Sequence, residues 1–72
     1  MGSVKAPPEG LTRRHREVLQ QFADGADGKE AAVELGITEQ TVRTHLKGAR
    51  ARLGARNTAH AIAMAIRRGW ID

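Results

Sequence analysis

Two helical patterns in this chain are separated by only Gly36-Ile37-Thr38. The first, residues 28–35, opens behind Asp27, a good N-cap, and Glu30 three residues later completes a capping-box pattern. Ala31, Ala32 and Leu35 give it a small packing surface, and Gly36 suits the left-handed residue that ends a helix. The second pattern, residues 39–53, opens behind Thr38, another favourable cap. Two helices joined by a three-residue turn containing glycine match the helix-turn-helix pattern. No other stretch restricts the fold as strongly.

The flanking segments extend the same reading. Thr12 is placed to cap a helix over about 12–24, with Val18, Leu19, Phe22 and Ala23 on one stripe and Gly25 beyond its end. Asn57 is placed to cap a fourth helix over about 57–68, closed by Gly69 before Trp70 and Ile71. No segment reads as a strand. The expectation is an all-α, four-helix helix-turn-helix domain over residues 11–72. Residues 1–10, MGSVKAPPEG, carry two prolines and two glycines without periodicity. They read as a flexible lead-in, either a linker from a longer parent or an appended remnant around Met1-Gly2-Ser3.

Size and composition then exclude whole classes of function. A chain of 72 residues buries only about 60% of the surface it exposes when unfolded, which argues against a sizeable enzyme cleft. There is no cysteine, hence no disulfide framework and no thiolate zinc site. His15, His45 and His60 fall on three different helices without an i, i+4 pair, so no metal site is expected. Neither a nucleophile elbow nor a phosphate-cradling glycine loop is present. The chain reads as a non-enzyme without a cofactor. Its longest apolar run, Ala61 to Ile66, falls far short of the roughly 20 residues that span a bilayer. The first ten residues lack the apolar core of a secretory signal. A cytoplasmic location and no membrane partner are expected.

Net charge is +4, and its distribution says more than its size. Residues 17–39 hold six acids against Lys29 alone, whereas residues 40–71 hold seven cations and no acid. A field polarised this way suits a binder of nucleic acid or another anionic surface.

The third helix concentrates that signal. At about 100° per residue, Val42, Leu46, Ala49 and Leu53 share one side, a core seam. Roughly opposite lie Gln40, Arg43, Thr44, Lys47 and Ala51. An amide, two cations and a hydroxyl bearing a methyl are the groups that read base edges in a major groove. Gly48 and Ala51 flank this face with little bulk, which would let the helix backbone approach closely, although Gly48 costs the helix about 1 kcal/mol relative to alanine. Arg50 and Arg52 lie toward the flanks, and Glu39 suits the positive end of the helix dipole. A solvated face with arginines for solubility is the competing interpretation.

In order, "LTRRHREVL" (11–19), "GADGKEAA" (25–32), "LGITEQTVRTHL" (35–46) and "RLGARNTAHAIAMAIRRGWI" (52–71) resemble the LuxR/GerE-type helix-turn-helix domain of bacterial transcription regulators. The resemblance covers nearly everything after residue 10. It implies a four-helix DNA-binding domain whose third helix enters the major groove of double-stranded DNA. Gln40, Arg43, Thr44 and Lys47 are then the candidate base readers. Lys29, Thr38, Thr41 and Arg50 are candidates for the DNA backbone, together with the amino end of the third helix. His45 stands where the family often has histidine and is expected to pack against the turn or contact a phosphate. The sequence also departs from the family pattern. His15 and His60 stand where glutamate is common, so for helices one and four only the N-caps are expected. Gly28 replaces a usual polar residue, and Gly48, Arg50 and Ala51 replace a frequent Asn or Lys, an aromatic and a basic residue.

The fourth helix is apolar over a wider arc than one core needs. Ala61, Ile62 and Ala65 form the stripe assigned to the core, and Ala59, Ala63, Ile66 and Trp70 form an adjacent one, with His60, Arg67 and Arg68 outside both. The second stripe is the expected homodimer contact, which would give a two-fold protein on an inverted repeat. Two alternatives stay open. One is a sigma-factor-like promoter-recognition module, against which the fourth helix and "GWI" argue. The other is an interaction module acting on RNA polymerase or another regulator.

Overall fold

Four side-chain caps punctuate the chain. Thr12 Oγ1 accepts from the His15 N–H at 3.1 Å, and Asp27 Oδ1 accepts from the Glu30 N–H at 2.8 Å. Thr38 Oγ1 accepts from the Thr41 N–H at 3.0 Å, and Asn57 Oδ1 accepts from the His60 N–H at 2.8 Å. Each satisfies an amide that the helix itself cannot pair. In the computed structural model, which describes residues 10–72, these caps open α1 (Arg13–Ala23), α2 (Gly28–Leu35), α3 (Glu39–Leu53) and α4 (Thr58–Arg67). Among the described residues there is no strand. The all-α expectation holds, and the lead-in lies outside the described residues except for Gly10.

The turn between α2 and α3 depends on Gly36. Its φ of 69° is left-handed, a region that costs any residue with a Cβ. The reversal lets the Ile37 N–H donate to the Ala32 carbonyl at 3.0 Å, so the chain leaves one helix and reaches the next cap within two residues.

Two small cores meet on α3. Val18 of α1, Ala31 and Ala32 of α2, and Val42 of α3 form the first. Leu11, Leu19, Ala49, Leu53, Ala61, Ala65 and Ile71 form the second, which joins α1, α3, α4 and the carboxy-terminal segment. Leu46 packs against both. The expected seam Val42–Leu46–Ala49–Leu53 is therefore the spine of the domain, and α2 and α4 do not touch each other. Burial of each large side chain contributes about 1.5–3 kcal/mol, so this spine carries much of the stability. No helix among the described residues is long and apolar enough to cross a membrane.

The expected helix limits differ only in cap residues, with Asp24 and Arg68 standing as C-caps. The caution about helix one is corrected. His15 Nδ1 accepts from the Thr12 N–H at 3.1 Å and completes a full capping box. An imidazole nitrogen with a free lone pair does what a glutamate oxygen does in the usual box. In α4 the histidine reaches one residue further back, to the Arg56 N–H at 3.0 Å.

Candidate nucleic-acid interface

Because Val42, Ala49 and Leu53 are buried on the back of α3, its opposite side is held outward. Gln40, Arg43, Thr44 and Lys47 are all exposed there in one row. Gln40 Oε1 accepts from an Arg43 guanidinium N–H at 3.2 Å, so amide and cation present a shared edge. The Thr44 hydroxyl donates to the Gln40 carbonyl at 3.0 Å. Its donor is thus engaged within the helix, which leaves this exposed side chain its methyl and the oxygen lone pairs for a partner. That narrows the expected role of Thr44 to accepting a hydrogen bond or meeting a thymine methyl.

The flanking groups divide. Arg50 turns toward α4, where Arg43, Leu46, Lys47, Arg50 and Thr58 line a cleft of about 350 Å³. Thr58, in the first turn of α4, is a hydroxyl beside three cations that the sequence reading overlooked. Asn57 as N-cap was the available signal, since it sets Thr58 at the head of the helix. Arg52 turns the other way: a Cβ on Gly10 would lie 3.1 Å from its Cδ. Both ion pairs among the described residues use Glu17, with Arg13 and Arg14, so Arg43, Lys47 and Arg50 are not neutralised by carboxylates.

At the amino end of α3, Thr38 is exposed and Thr41 half-buried, their hydroxyls 2.8 Å apart. Lys29 is exposed on the first turn of α2. His45 is half-buried and meets His15 of α1 edge to face, with ring centroids 6.0 Å apart. It packs on α1. Gly48 is a correction. A Cβ there would stand 2.8 Å from His15 Nε2, so the space left by the missing side chain is taken by α1 rather than left open on the outward face.

The second α4 stripe is only partly free. Ala59 is exposed and Ile66 is 46% exposed, with Ala63 half-buried between them. Trp70 follows the helix end, packs against the second core, and lies under the Arg68 guanidinium at 5.4 Å.

One titration bears on this region. Burial, then the neighbouring His45 and Arg52, hold the His15 imidazole below its ordinary pKa.

Residues 9–65 match the family of bacterial regulatory proteins described as the luxR family, with GerE as its type. The chain belongs to this family. The LuxR-family domain is 37% identical over 62 residues to the spore germination protein GerE of Bacillus subtilis, covering 86% of this chain and 84% of that protein. It is 43% identical over 66 residues to the transcriptional activator protein BjaR1 of Bradyrhizobium diazoefficiens, covering 92% of this chain but 27% of that one. It is 40% identical over 60 residues to the transcriptional regulatory protein DesR of Bacillus subtilis, covering 83% of this chain and 30% of that one. The LuxR-family domain therefore spans less than a third of the two longer regulators. Its four-helix fold is that expected of a helix-turn-helix domain of this regulator family.

Proposed function

We propose that this domain reads double-stranded DNA with α3 in the major groove and Gln40, Arg43, Thr44 and Lys47 toward base edges. The carrying observation is that these four side chains form an exposed row on a helix whose back is buried. Arg43 and Lys47 suit guanine O6 and N7, Gln40 suits adenine, and the Thr44 methyl suits thymine. Lys29, Thr38, Thr41 and Arg50 hold phosphates, with the Thr58 hydroxyl beside Arg50. His45 keeps a packing role against His15. Two copies meet through Ala59, Ala63, Ile66 and the edge of Trp70, and together read an inverted repeat. The fourth helix and the family match favour this reading over a sigma-factor-like module.

Selection of bound duplexes from a random pool tests the proposal, since it returns site, symmetry and half-site spacing together. On the selected duplex, Arg43→Ala costs about 1–3 kcal/mol and relaxes preference at one position, while Lys29→Ala weakens all sequences alike. Equal losses on selected and random duplex for Arg43→Ala would remove its base-reading role. Binding to random duplex that ignores salt would instead favour a protein-interaction module, because phosphate contacts make log affinity fall linearly with log salt. Sedimentation with and without the duplex tests the α4 contact; a strict monomer in both sinks it.

A further inference from the structure

His15 is held from three sides. Its Nδ1 accepts the Thr12 N–H at 3.1 Å, while its own N–H donates to Thr12 Oγ1 at 3.1 Å. Its Nε2 lies 2.8 Å from where a Cβ on Gly48 would stand, so the ring fits against the bare backbone of α3. His45 closes the third side edge to face, at 6.0 Å. Gly48 is one helical turn beyond Thr44, so the ring touches α3 directly beside the base-facing row. The imidazole therefore links the cap of α1 to the seat of the reading helix.

We propose that neutral His15 is a positioning residue for DNA recognition: it sets how α3 rests on α1, so that acid loosens the seat and lowers sequence discrimination. The inference rests on the DNA-reading role proposed above. Accepting from the Thr12 N–H requires a lone pair on Nδ1, hence a neutral ring with its proton on Nε2. Protonation puts a second N–H opposite the Thr12 N–H and converts the bond into a clash of donors. It also places positive charge at the amino end of α1, the positive pole of the helix. The charged and titratable groups facing the ring, His45 and Arg52, both come from α3. On α1, Arg13 and Arg14 are engaged with Glu17 at 3.1 and 3.0 Å.

Burial, His45 and Arg52 lower the pKa of His15 in the folded chain. The folded state thus takes up the proton less readily than the unfolded one. The contribution is complete above the unfolded value of about 6.5 and is lost as pH falls through the folded value.

The test compares the 72-residue wild-type chain with His15→Gln, His15→Ala and His60→Gln. Affinity is read by fluorescence anisotropy on the selected and a shuffled duplex, at about pH 7.5 and at an acid pH at which the imidazole nitrogen shifts show His15 protonated, at constant salt. The ratio of the two affinities is the readout, since added positive charge strengthens phosphate binding on both duplexes. In the wild type and His60→Gln the ratio falls in acid by up to about fivefold, the size of one helix cap. Gln keeps an acceptor for the Thr12 N–H and takes no proton, so His15→Gln keeps its ratio, whereas His15→Ala is low at both pH values. Imidazole nitrogen shifts at neutral pH report Nδ1 of His15 without a proton. A wild-type ratio that does not change with pH, or an equal acid loss in His15→Gln, overturns the positioning role. A chain that binds no duplex better than random at neutral pH overturns the DNA-reading proposal instead, while the His15 nitrogen shifts still report the cap.

Discussion

Helices α1 and α2 open with the same hydrogen-bonded loop, yet the two loops depend on different things. In α2 the loop is self-contained: Asp27 and Glu30 exchange bonds of 2.8 and 2.9 Å, both side chains are exposed, and two anions sit at the positive end of the helix. In α1 the reciprocal arm is a half-buried histidine whose far edge is wedged against Gly48 of another helix. A capping box built on glutamate ends at the helix it caps. One built on histidine carries a rigid ring further, and that ring becomes a spacer between helices. The price is sensitivity to pH and to whatever stands across from it.

The largest expected effect comes from testing that wedge. Alanine at position 48 should gain about 1 kcal/mol of helix propensity, as it would at an unobstructed helical glycine. Its Cβ would meet His15 Nε2 at 2.8 Å, and the ring cannot swing away without releasing the Thr12 N–H. Overpacking of this kind costs about 1–3 kcal/mol, so Gly48→Ala is expected to lower stability by about 1 kcal/mol. In a His15→Ala background the obstacle is gone, and the same change is expected to raise stability by up to about 1 kcal/mol. Urea unfolding of the four chains in this cycle measures a coupling of about 2 kcal/mol with a reversal of sign. Additive effects would show that the ring is free to move and that the contact is incidental.

This contrast also marks what was legible in the sequence. Thr12, Asp27, Thr38 and Asn57 cap as expected and Gly36 stops α2, because each acts on amides within a few residues of itself. The seam Val42–Leu46–Ala49–Leu53 and the outward row from Gln40 to Lys47 followed from helical period alone. His15 stood at the right position for a cap partner, but the box was left in doubt because the usual pattern asks for Glu or Gln. Gly48 was assigned to the wrong neighbour, since which side of α3 meets α1 depends on the packing of three helices together. Position 48 lies next to the base-facing row on the wheel, and only the crossing of α1 decides that the gap is already filled. The sorting of Arg50 toward α4 and Arg52 toward Gly10 was beyond the wheel for the same reason.

A smaller effect tests the self-contained loop of α2. Asp27→Ala removes the acceptor for the Glu30 N–H and is expected to cost about 1 kcal/mol. Since both bonds of this loop run between Asp27 and Glu30 themselves, the cost is expected to be the same in the His15→Ala background. A loss in Asp27→Ala that depends on the state of His15 would mean that the two cores do not separate at Leu46, and that α2 also reports on the seat of α3.

The smallest effect uses the other helical glycine. Gly28 opens α2, and a Cβ there would meet nothing within 4 Å. Its φ is outside the left-handed region, so alanine fits without strain. Gly28→Ala should therefore stabilise the domain by about 0.4–1 kcal/mol, mainly by restricting the unfolded chain. Lys29 follows directly in the same turn. Firmer helix there reduces the freedom that Lys29 loses on holding a phosphate, so random-duplex affinity is expected to rise slightly while the selected-to-random ratio stays constant. Gly28 and Gly48 would then differ in every respect that the structure distinguishes: one vacant and acting on the backbone-contact set, the other filled by a histidine and acting on the reading face. A gain in discrimination from Gly28→Ala would break that division, because it would place α2 among the elements that orient α3.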